Sequence, residues 1–273
     1  SLPLLTSKVQ VAELEREAKD RLLALENRRA LLEGNFGLSA AETLAGMRRD
    51  FGDAATGAMA IGPAAERLVR ISCISADGRA FGRGGPGAVM GSKRLKGLVV
   101  RGEGSIPLAD PARVEAIRRA ALASLAGDAG ERERHGTTQY VEPLNELGCL
   151  PTRNFQSASF AAIDAVDPRS APERPRVRST ACAGCPVACG KSFEVTGGRF
   201  AGARARTEYE AIALLGPNCG VSDFGAIVRA NQLCDELGID TMSAGNAVAL
   251  AMELGERGLL APGDADGLDV RFG

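Results

Sequence analysis

Three of the chain's seven cysteines, Cys182, Cys185 and Cys189, fall within eight residues of one another in the run A-C-A-G-C-P-V-A-C-G-K at 181–191. Thiolates are soft ligands that suit iron–sulfur clusters and zinc, and C-x2-C-x3-C spacing lets one turn of backbone aim three sulfurs at a single point. Gly184 and Gly190 allow unusual backbone angles beside the ligands, and Pro186 stiffens the loop between the second and third cysteines. The motif therefore reads first as part of an iron–sulfur site. Zinc is the main alternative, because zinc knuckles also open with C-x2-C. They usually close with a second cysteine pair or a histidine, and the sole histidine, His135, lies far upstream. Three buried or disulfide-bonded cysteines are the remaining alternative.

Two other segments carry polar chemistry. R-G-G-P-G-A-V-M-G-S-K at 83–93 contains four glycines that let backbone amides approach an anion, and a helix predicted over 88–95 would stand behind them. A phosphate or pyrophosphate is the natural guest, although the spacing matches neither G-x-G-x-x-G nor the P-loop. D-E-L-G-I-D at 235–240 joins two helical patterns. Gly238 supplies a C′ position there and Asp240 can begin the next helix, so amides and carboxylates converge. A plain capped turn between helices would explain the same residues.

The elements that must position these groups follow from periodicity. Apolar residues at Val11, Leu14, Ala18, Leu22 and Leu25 predict an amphipathic helix, and Ser39 with Glu42 predicts a capping box opening a helix through Met47. Alternation around Val69, Ile71 and Cys73 predicts a strand over 68–75, and 97–101 predicts another. Beyond residue 104 the pattern turns helical. Asp110 and Pro111 open a helix to about Ala126, residues 127–136 read as a loop, and 137–147 read as helix. A proline-rich, looser segment at 168–178 leads to the cysteines, a short strand is expected over 192–196, and helices are expected over 207–215, 222–237 and 241–257. A domain boundary is placed near 104, giving a partial N-terminal domain over 1–104 and a helical domain over 105–273.

Composition excludes several classes. A formal net charge of −1 gives no reason to expect nucleic acid or an anionic membrane as partner. The apolar run at 244–252 is too short to span a bilayer. An odd number of cysteines without a scaffold-like spacing points to a reducing cytoplasm. The sequence begins at Ser1 and ends on a Gly/Asp-rich run at Gly273, and it reads as a portion of something longer.

Five ordered motifs together resemble the tungsten-containing aldehyde ferredoxin oxidoreductase family. They are the 83–93 turn, L-P-T-R-N-F at 150–155, the cysteine motif, E-Y-E-A-I-A-L-L-G-P-N-C-G at 208–220 and N-Q-L-C-D-E-L-G-I-D-T at 231–241. The resemblance covers roughly residues 35–260. It implies an α+β fold in which the C-terminal part of a β-rich pterin-binding domain precedes a mostly helical domain. It also implies that Cys182, Cys185 and Cys189 are three ligands of a 4Fe–4S cluster. Asp235, Gly238, Ile239 and Asp240 would match the family's D-x-x-G-L-(C/D) pterin motif, with Ile in place of Leu. Arg83, Gly84, Gly85 and Lys93 would serve the cofactor, Gly84 through a backbone carbonyl where magnesium bridges pterin phosphates.

The activity so implied is oxidation of an aldehyde to a carboxylate at tungsten or molybdenum held by two pterins, with ferredoxin or another redox protein taking the electrons. Glu210 would be the general acid/base with Tyr209 beside it, and Glu208 is the near alternative. Some family members bind a metal between subunits through an E-x-x-H pair. Arg229 and Gln232 stand at those positions, so any homodimer or larger complex is expected to form without a bridging metal. The fourth cluster cysteine and a second pterin motif are absent, and the early part of the first domain is expected to be missing or replaced by the 11–32 helix. Cys73, Cys149, Cys219 and Cys234 are expected to be core thiols. A non-catalytic electron-transfer or scaffold subunit and a zinc-stabilised binding module are the competing functions.

Overall fold

The computed structural model describes residues 36–51, 56–76, 78–101, 107–128, 130–172, 175–182, 184–261 and 263–273. The helix expected over 11–25 lies outside them. Ser39 opens α1 (Ala40–Phe51) by the expected capping box: its N–H donates to Glu42 Oε2 at 2.8 Å, and the Glu42 N–H donates back to Ser39 Oγ at 3.2 Å. Ala40, Thr43, Leu44 and Met47 form the buried face of α1. That face lies on an antiparallel sheet of order β3-β2-β1-β4, made of β1 (Thr56–Ile61), β2 (Ile74–Ala76), β3 (Arg79–Phe81) and β4 (Gly97–Arg101). A side chain at Gly97 would press on the sheet, because its Cβ would lie 2.9 Å from Met59 O and displace the Met47 methyl.

The strand expected over 68–75 is a correction. Leu68 has φ +60°, the Val69 N–H donates to Ala64 O and the Ser72 N–H donates to Val69 O, so the chain turns until Ile74. Residues 71–73 pair instead with 238–240: Ser72 bridges Ile239, the Cys73 N–H donates to Gly238 O at 2.8 Å, and the Asp240 N–H donates to Ile71 O at 2.9 Å. The alternation that suggested a sheet face therefore reflects contact with a distant turn. Two short helices, α2 (Pro63–Glu66) and α3 (Pro86–Ser92), pack so closely that a Cβ on Gly91 would meet Ala65 O at 1.9 Å. Pro86 starts α3 two residues earlier than expected, as proline favours the first helical position.

Asp110 accepts from the Arg113 N–H at 2.9 Å and opens α4 (Pro111–Asp128). The loop expected over 127–136 is mostly helix α5 (Gly130–His135), supported by Glu131–Arg134 at 3.1 Å and Glu131–His135 at 3.8 Å one turn apart. A 3-10 turn over Gly136–Tyr140, α6 (Val141–Glu146) and α7 (Ile163–Val166) follow. The looser 168–178 segment already becomes a strand at Arg176. A second antiparallel sheet of order β5-β6-β7 comprises β5 (Arg176–Thr180), β6 (Gly190–Glu194) and β7 (Arg204–Arg206), so the strand expected over 192–196 sits two residues closer to the cysteines.

Three helices complete the body: α8 (Tyr209–Leu215), α9 (Phe224–Leu237) and α10 (Thr241–Glu256). The main core joins this group to the second sheet, with Phe193, Ile212, Ile227 and Val228 at its centre. Phe193 meets Phe224 edge to face at 5.2 Å between centroids. Close packing of α8 on α10 depends on Gly245, where a Cβ would lie 2.5 Å from Leu214 O. Cys73, Cys219 and Cys234 are buried as expected, but Cys149 is exposed beyond the turn that ends α6. No single helix among the described residues is long and apolar enough to cross a membrane. The architecture is mixed α+β, with two small antiparallel sheets.

Candidate functional site

The cysteine motif forms the tip of the β5–β6 hairpin, closed at its base by the Thr180–Gly190 pair. Within it the Cys185 N–H donates to Cys182 O at 3.0 Å, and Gly184 takes φ +71°, which a side chain would resist. All three thiols are free; Cys185 is exposed and the other two are half-buried. Among the described residues, no three His, Cys, Asp or Glu side chains are gathered at metal-binding range. What surrounds the thiols is cationic. Arg79 Nη2 and Nε donate to Cys182 Sγ at 2.5 and 3.2 Å. The Arg79 hydrogen bond holds the Cys182 thiol below its usual range, and the Arg206 guanidinium adds to the effect.

Arg206 reaches this place because Gly190 has no side chain: a Cβ there would lie 2.4 Å from Arg206 Nη2. That Nη2 is buried and has no hydrogen-bond partner among the described residues. An orphaned buried donor beside free thiols calls for an acceptor such as a cluster sulfide. The donor set and its positive surroundings thus fit an anionic iron–sulfur cluster. His135, the nitrogen ligand that a zinc site could borrow, faces Glu131 on the surface of α5.

Four residues beyond Arg79, Arg83 reaches the second candidate segment, with its Nε 3.6 Å from Asp240 Oδ2. Asp240 caps α10, accepting from the Ser243 N–H at 2.8 Å and the Ser243 hydroxyl at 2.5 Å. Gly238 takes the C′ position after α9 with φ +72°, and Gly62 crosses it so closely that a Gly62 Cβ would lie 2.3 Å from Leu237 O. The Ile239 N–H donates to Cys234 O at 2.9 Å. Asp235 accepts from Asn231 Nδ2 at 3.2 Å. Asp235 is an exposed residue, yet the packing around its carboxyl first and the charge of Glu236 second push its pKa up to about 6. Ser72 Oγ and Asn231 Oδ1 are buried and have no hydrogen-bond partner among the described residues. A group offering several N–H donors, as a pterin edge does, fits an edge of carboxylates and unfilled acceptors.

Gly84 has φ +95° and open space where a Cβ would stand, while a Cβ on Gly85 would lie 2.4 Å from Arg70 O. The structure therefore brings Arg83, Gly84 and Gly85 into one turn facing Asp240. Lys93 stands at the far end of α3, exposed, and its side chain joins none of these groups in the described contacts.

The third candidate is the start of α8. Glu208 is held by Arg206 Nε at 3.0 Å and by Thr137 Oγ1 at 2.7 Å, and the Tyr209 N–H donates to Thr137 Oγ1 at 2.9 Å. Tyr209 is half-buried, and burial first, then the charge of Glu210, raises its phenol. Glu210 is exposed and accepts no hydrogen bond from the described residues. Of the two carboxylates, Glu208 is fixed and Glu210 is free. Elsewhere, Arg229 Nη1 and Gln232 Nε2 both donate to Glu236 Oε1, at 3.0 and 2.9 Å. Arg79, Arg206 and Thr137 were not among the sequence candidates; each acts across a long stretch of chain, and no local pattern marks it.

The free thiols of the hairpin tip and the carboxylate turn at 235–240 thus lie at the two ends of the Arg79–Arg83 segment on one mixed α+β body. Residues 115–273 match the family model described as aldehyde ferredoxin oxidoreductase, domains 2 and 3, and residues 15–102 match that of the N-terminal domain. The chain belongs to the aldehyde ferredoxin oxidoreductase family. It is 38% identical over 227 residues to the tungsten-containing aldehyde ferredoxin oxidoreductase of Pyrococcus furiosus, covering 82% of this chain and 37% of that protein. A second relative, the WOR-like subunit of an aliphatic sulfonate oxidoreductase from the same organism, is 30% identical over 217 residues, covering 78% of this chain and 34% of its own length. The chain thus spans little more than a third of these relatives. In fold it is similar to a chain of the active site complex BamBC of benzoyl coenzyme A reductase, with TM-score 0.68, 24% identity, and coverage of 88% of this chain and 39% of that one.

Proposed function

We propose that the protein oxidises an aldehyde to a carboxylate and delivers the electrons through a 4Fe–4S cluster to ferredoxin or a similar redox carrier. The observation that carries this reading is the segment from Arg79 to Arg83, which touches Cys182 at one end and Asp240 at the other. It joins the cluster loop to the pterin turn by a single strand and its following turn. In domain terms, residues 1–104 would belong to the β-rich pterin-contacting part and 105–273 to the helical part. The seven cysteines and the absence of any disulfide among the described residues suit a reducing cytoplasm.

When bound, a tungsten or molybdenum pterin cofactor would supply the two-electron chemistry. The protein's own residues do the rest. Arg83, Gly84 and Gly85 hold phosphate, with Lys93 as a more distant cation. Asp235, Gly238, Ile239 and Asp240 hold a pterin edge, and Cys182, Cys185 and Cys189 hold the cluster. Oxidation of RCHO to the carboxylate takes an oxygen from water and releases two electrons and three protons, so a base must accept a proton. Glu210, whose carboxylate accepts no hydrogen bond from the described residues, takes that proton, and Tyr209 flanks it.

Elemental analysis of the purified full-length protein tests the reading. Tungsten or molybdenum with iron and acid-labile sulfide is expected. Iron and sulfide alone would make it an electron-transfer or scaffold subunit, and zinc alone a zinc-stabilised module. Glu210→Gln should leave metal content intact and lower turnover by roughly 10²–10⁴-fold, the range a positioned acid/base supplies. Unchanged turnover removes Glu210 from the mechanism.

A further inference from the structure

Lys191 follows the third cysteine by two residues and is only 2% exposed. Its Nζ donates to Glu133 O, to Ser179 Oγ at 2.6 Å and to Ala188 O at 3.2 Å. All three acceptors are neutral. Lys96, which is equally buried, shows the usual solution: its Nζ meets Glu66 Oε1 at 2.5 Å. Among the described residues, Lys191 has no carboxylate within ion-pair distance. A buried ammonium without a counter-charge is strongly disfavoured. Gly136 is pressed onto this corner, where a Cβ would lie 2.1 Å from Cys189 O, so the 3-10 turn walls it off.

The surroundings deepen the imbalance. Arg79 and Arg206 act on Cys182 on the same hairpin tip, and the carboxylate that faces them, Glu208, is already shared with Arg206 and Thr137. Three cations therefore stand against one committed anion. The missing negative charge belongs on the sulfurs. We infer that Lys191 is the buried counter-charge of the iron–sulfur cluster held by Cys182, Cys185 and Cys189, and that its ammonium raises the cluster's reduction potential; this rests on the cluster reading above. Reduction adds one electron and one negative charge to the cluster, and a fixed cation in a poorly screened corner favours that form over the oxidised one. Neutral carbonyl and hydroxyl acceptors position the ammonium without cancelling its charge. Lys191 acts at a distance and is a positioning residue.

The test is a redox titration of the full-length protein followed by the electron paramagnetic resonance of the reduced cluster. Lys191→Gln should lower the ratio of reduced to oxidised cluster at a fixed applied potential by up to tenfold, equivalent to about 59 mV for a one-electron couple. Lys191→Arg should restore most of it. Ser179→Ala serves as control, because it removes one hydrogen bond and leaves the charge. It is expected to leave the midpoint unchanged or slightly raised, and this arm stands even if the Lys191 variants fold poorly. A midpoint unmoved in Lys191→Gln overturns the inference. So does an equal drop in Ser179→Ala, which would assign the effect to loop geometry. Wild-type protein without iron and sulfide overturns the cluster reading itself and is thereby distinguished from failure of the Lys191 role alone.

Discussion

The two candidate cofactor seats sit at opposite ends of the Arg79–Arg83 segment and are built on opposite electrostatic plans. At the cysteine loop, Arg79, Arg206 and Lys191 surround soft donors, and the Cys182 thiol is drawn toward its anionic form. At the 235–240 turn, Asp235 and Asp240 crowd a carboxylate edge, and the Asp235 carboxyl is pushed toward its neutral form. The backbones differ in the same sense. The turn is fixed by helix caps and by its pairing with 71–73, whereas among the described residues the loop shows one internal backbone bond, from Cys185 to Cys182. One seat is rigid and offers acceptors; the other is adaptable and offers donors and positive charge. Their difference predicts guests of opposite character: a hydrogen-bond-donating heterocycle at the turn and an anionic cluster at the loop.

The largest effect should come from the loop. Cys185→Ala removes an exposed thiol whose described contact is a weak 3.7 Å hydrogen bond to Val187 O, and near-complete loss of iron and acid-labile sulfide is expected with the fold retained. A variant that kept its full iron would break the comparison at its root. Next in size is Arg79→Gln, read on metal-free protein. Without the guanidinium, the Cys182 thiol returns toward its ordinary range, so its alkylation rate at pH 7 should fall roughly two- to tenfold, tracked by peptide mass spectrometry. Cys185, which lacks that contact, should react at an unchanged rate. Equal slowing of both would mean that the loop moved.

Helix starts were legible where a side chain announces the cap. Ser39 with Glu42, Asp110 and Asp240 all cap as their types and spacing suggest. Gly238 took its left-handed angle for the same local reason. What was not legible depends on partners distant in sequence. Val69, Ile71 and Cys73 alternate like a strand, yet their segment docks on residues 238–240, which no local pattern reveals. The 127–136 stretch looked like a loop because of its glycines, and ion pairs one turn apart made most of it helix. At the site, the cysteines could be read from spacing alone, whereas Arg79 and Arg206 look like ordinary strand arginines. Only folding brings them to Cys182.

On the rigid side the expected effects are smaller. Asp240→Ala removes the acceptor for the Ser243 N–H and hydroxyl and should cost about 1 kcal/mol in urea denaturation, the usual value of a helix cap. It also releases Arg83 from its 3.6 Å pairing. Asp240→Asn can still cap the helix and should recover most of the loss, leaving only the weak ion pair missing. If Asn were as damaging as Ala, the charge facing Arg83 would matter more than the cap, and the turn would resemble the loop more than its hydrogen bonds indicate.

The smallest effect tests the polarity of the turn directly. Packing around the carboxyl raises Asp235 from 3.8 to about 6, so the folded chain favours its protonated form, although the residue is exposed and solvent screening reduces what this is worth in stability. The stability that this provides is fully present below the unfolded value near 4 and is lost as pH rises through about 6. Asp235→Asn stays neutral and can still accept from Asn231. In metal-free protein, the melting temperatures of variant and wild type should agree at pH 4. Between pH 4 and 6 they should separate, with the variant higher by a degree or a few above pH 6. A variant that melts lower at pH 7 would show that the carboxylate is held by a partner, and the contrast with the cysteine loop would fail. Pterin-loaded protein should invert the result. Hydrogen-bond donors on the bound heterocycle favour the ionised carboxylate, so the same substitution should then lower the melting temperature. Such a reversal on loading would identify Asp235 as a residue that accepts hydrogen bonds from its guest.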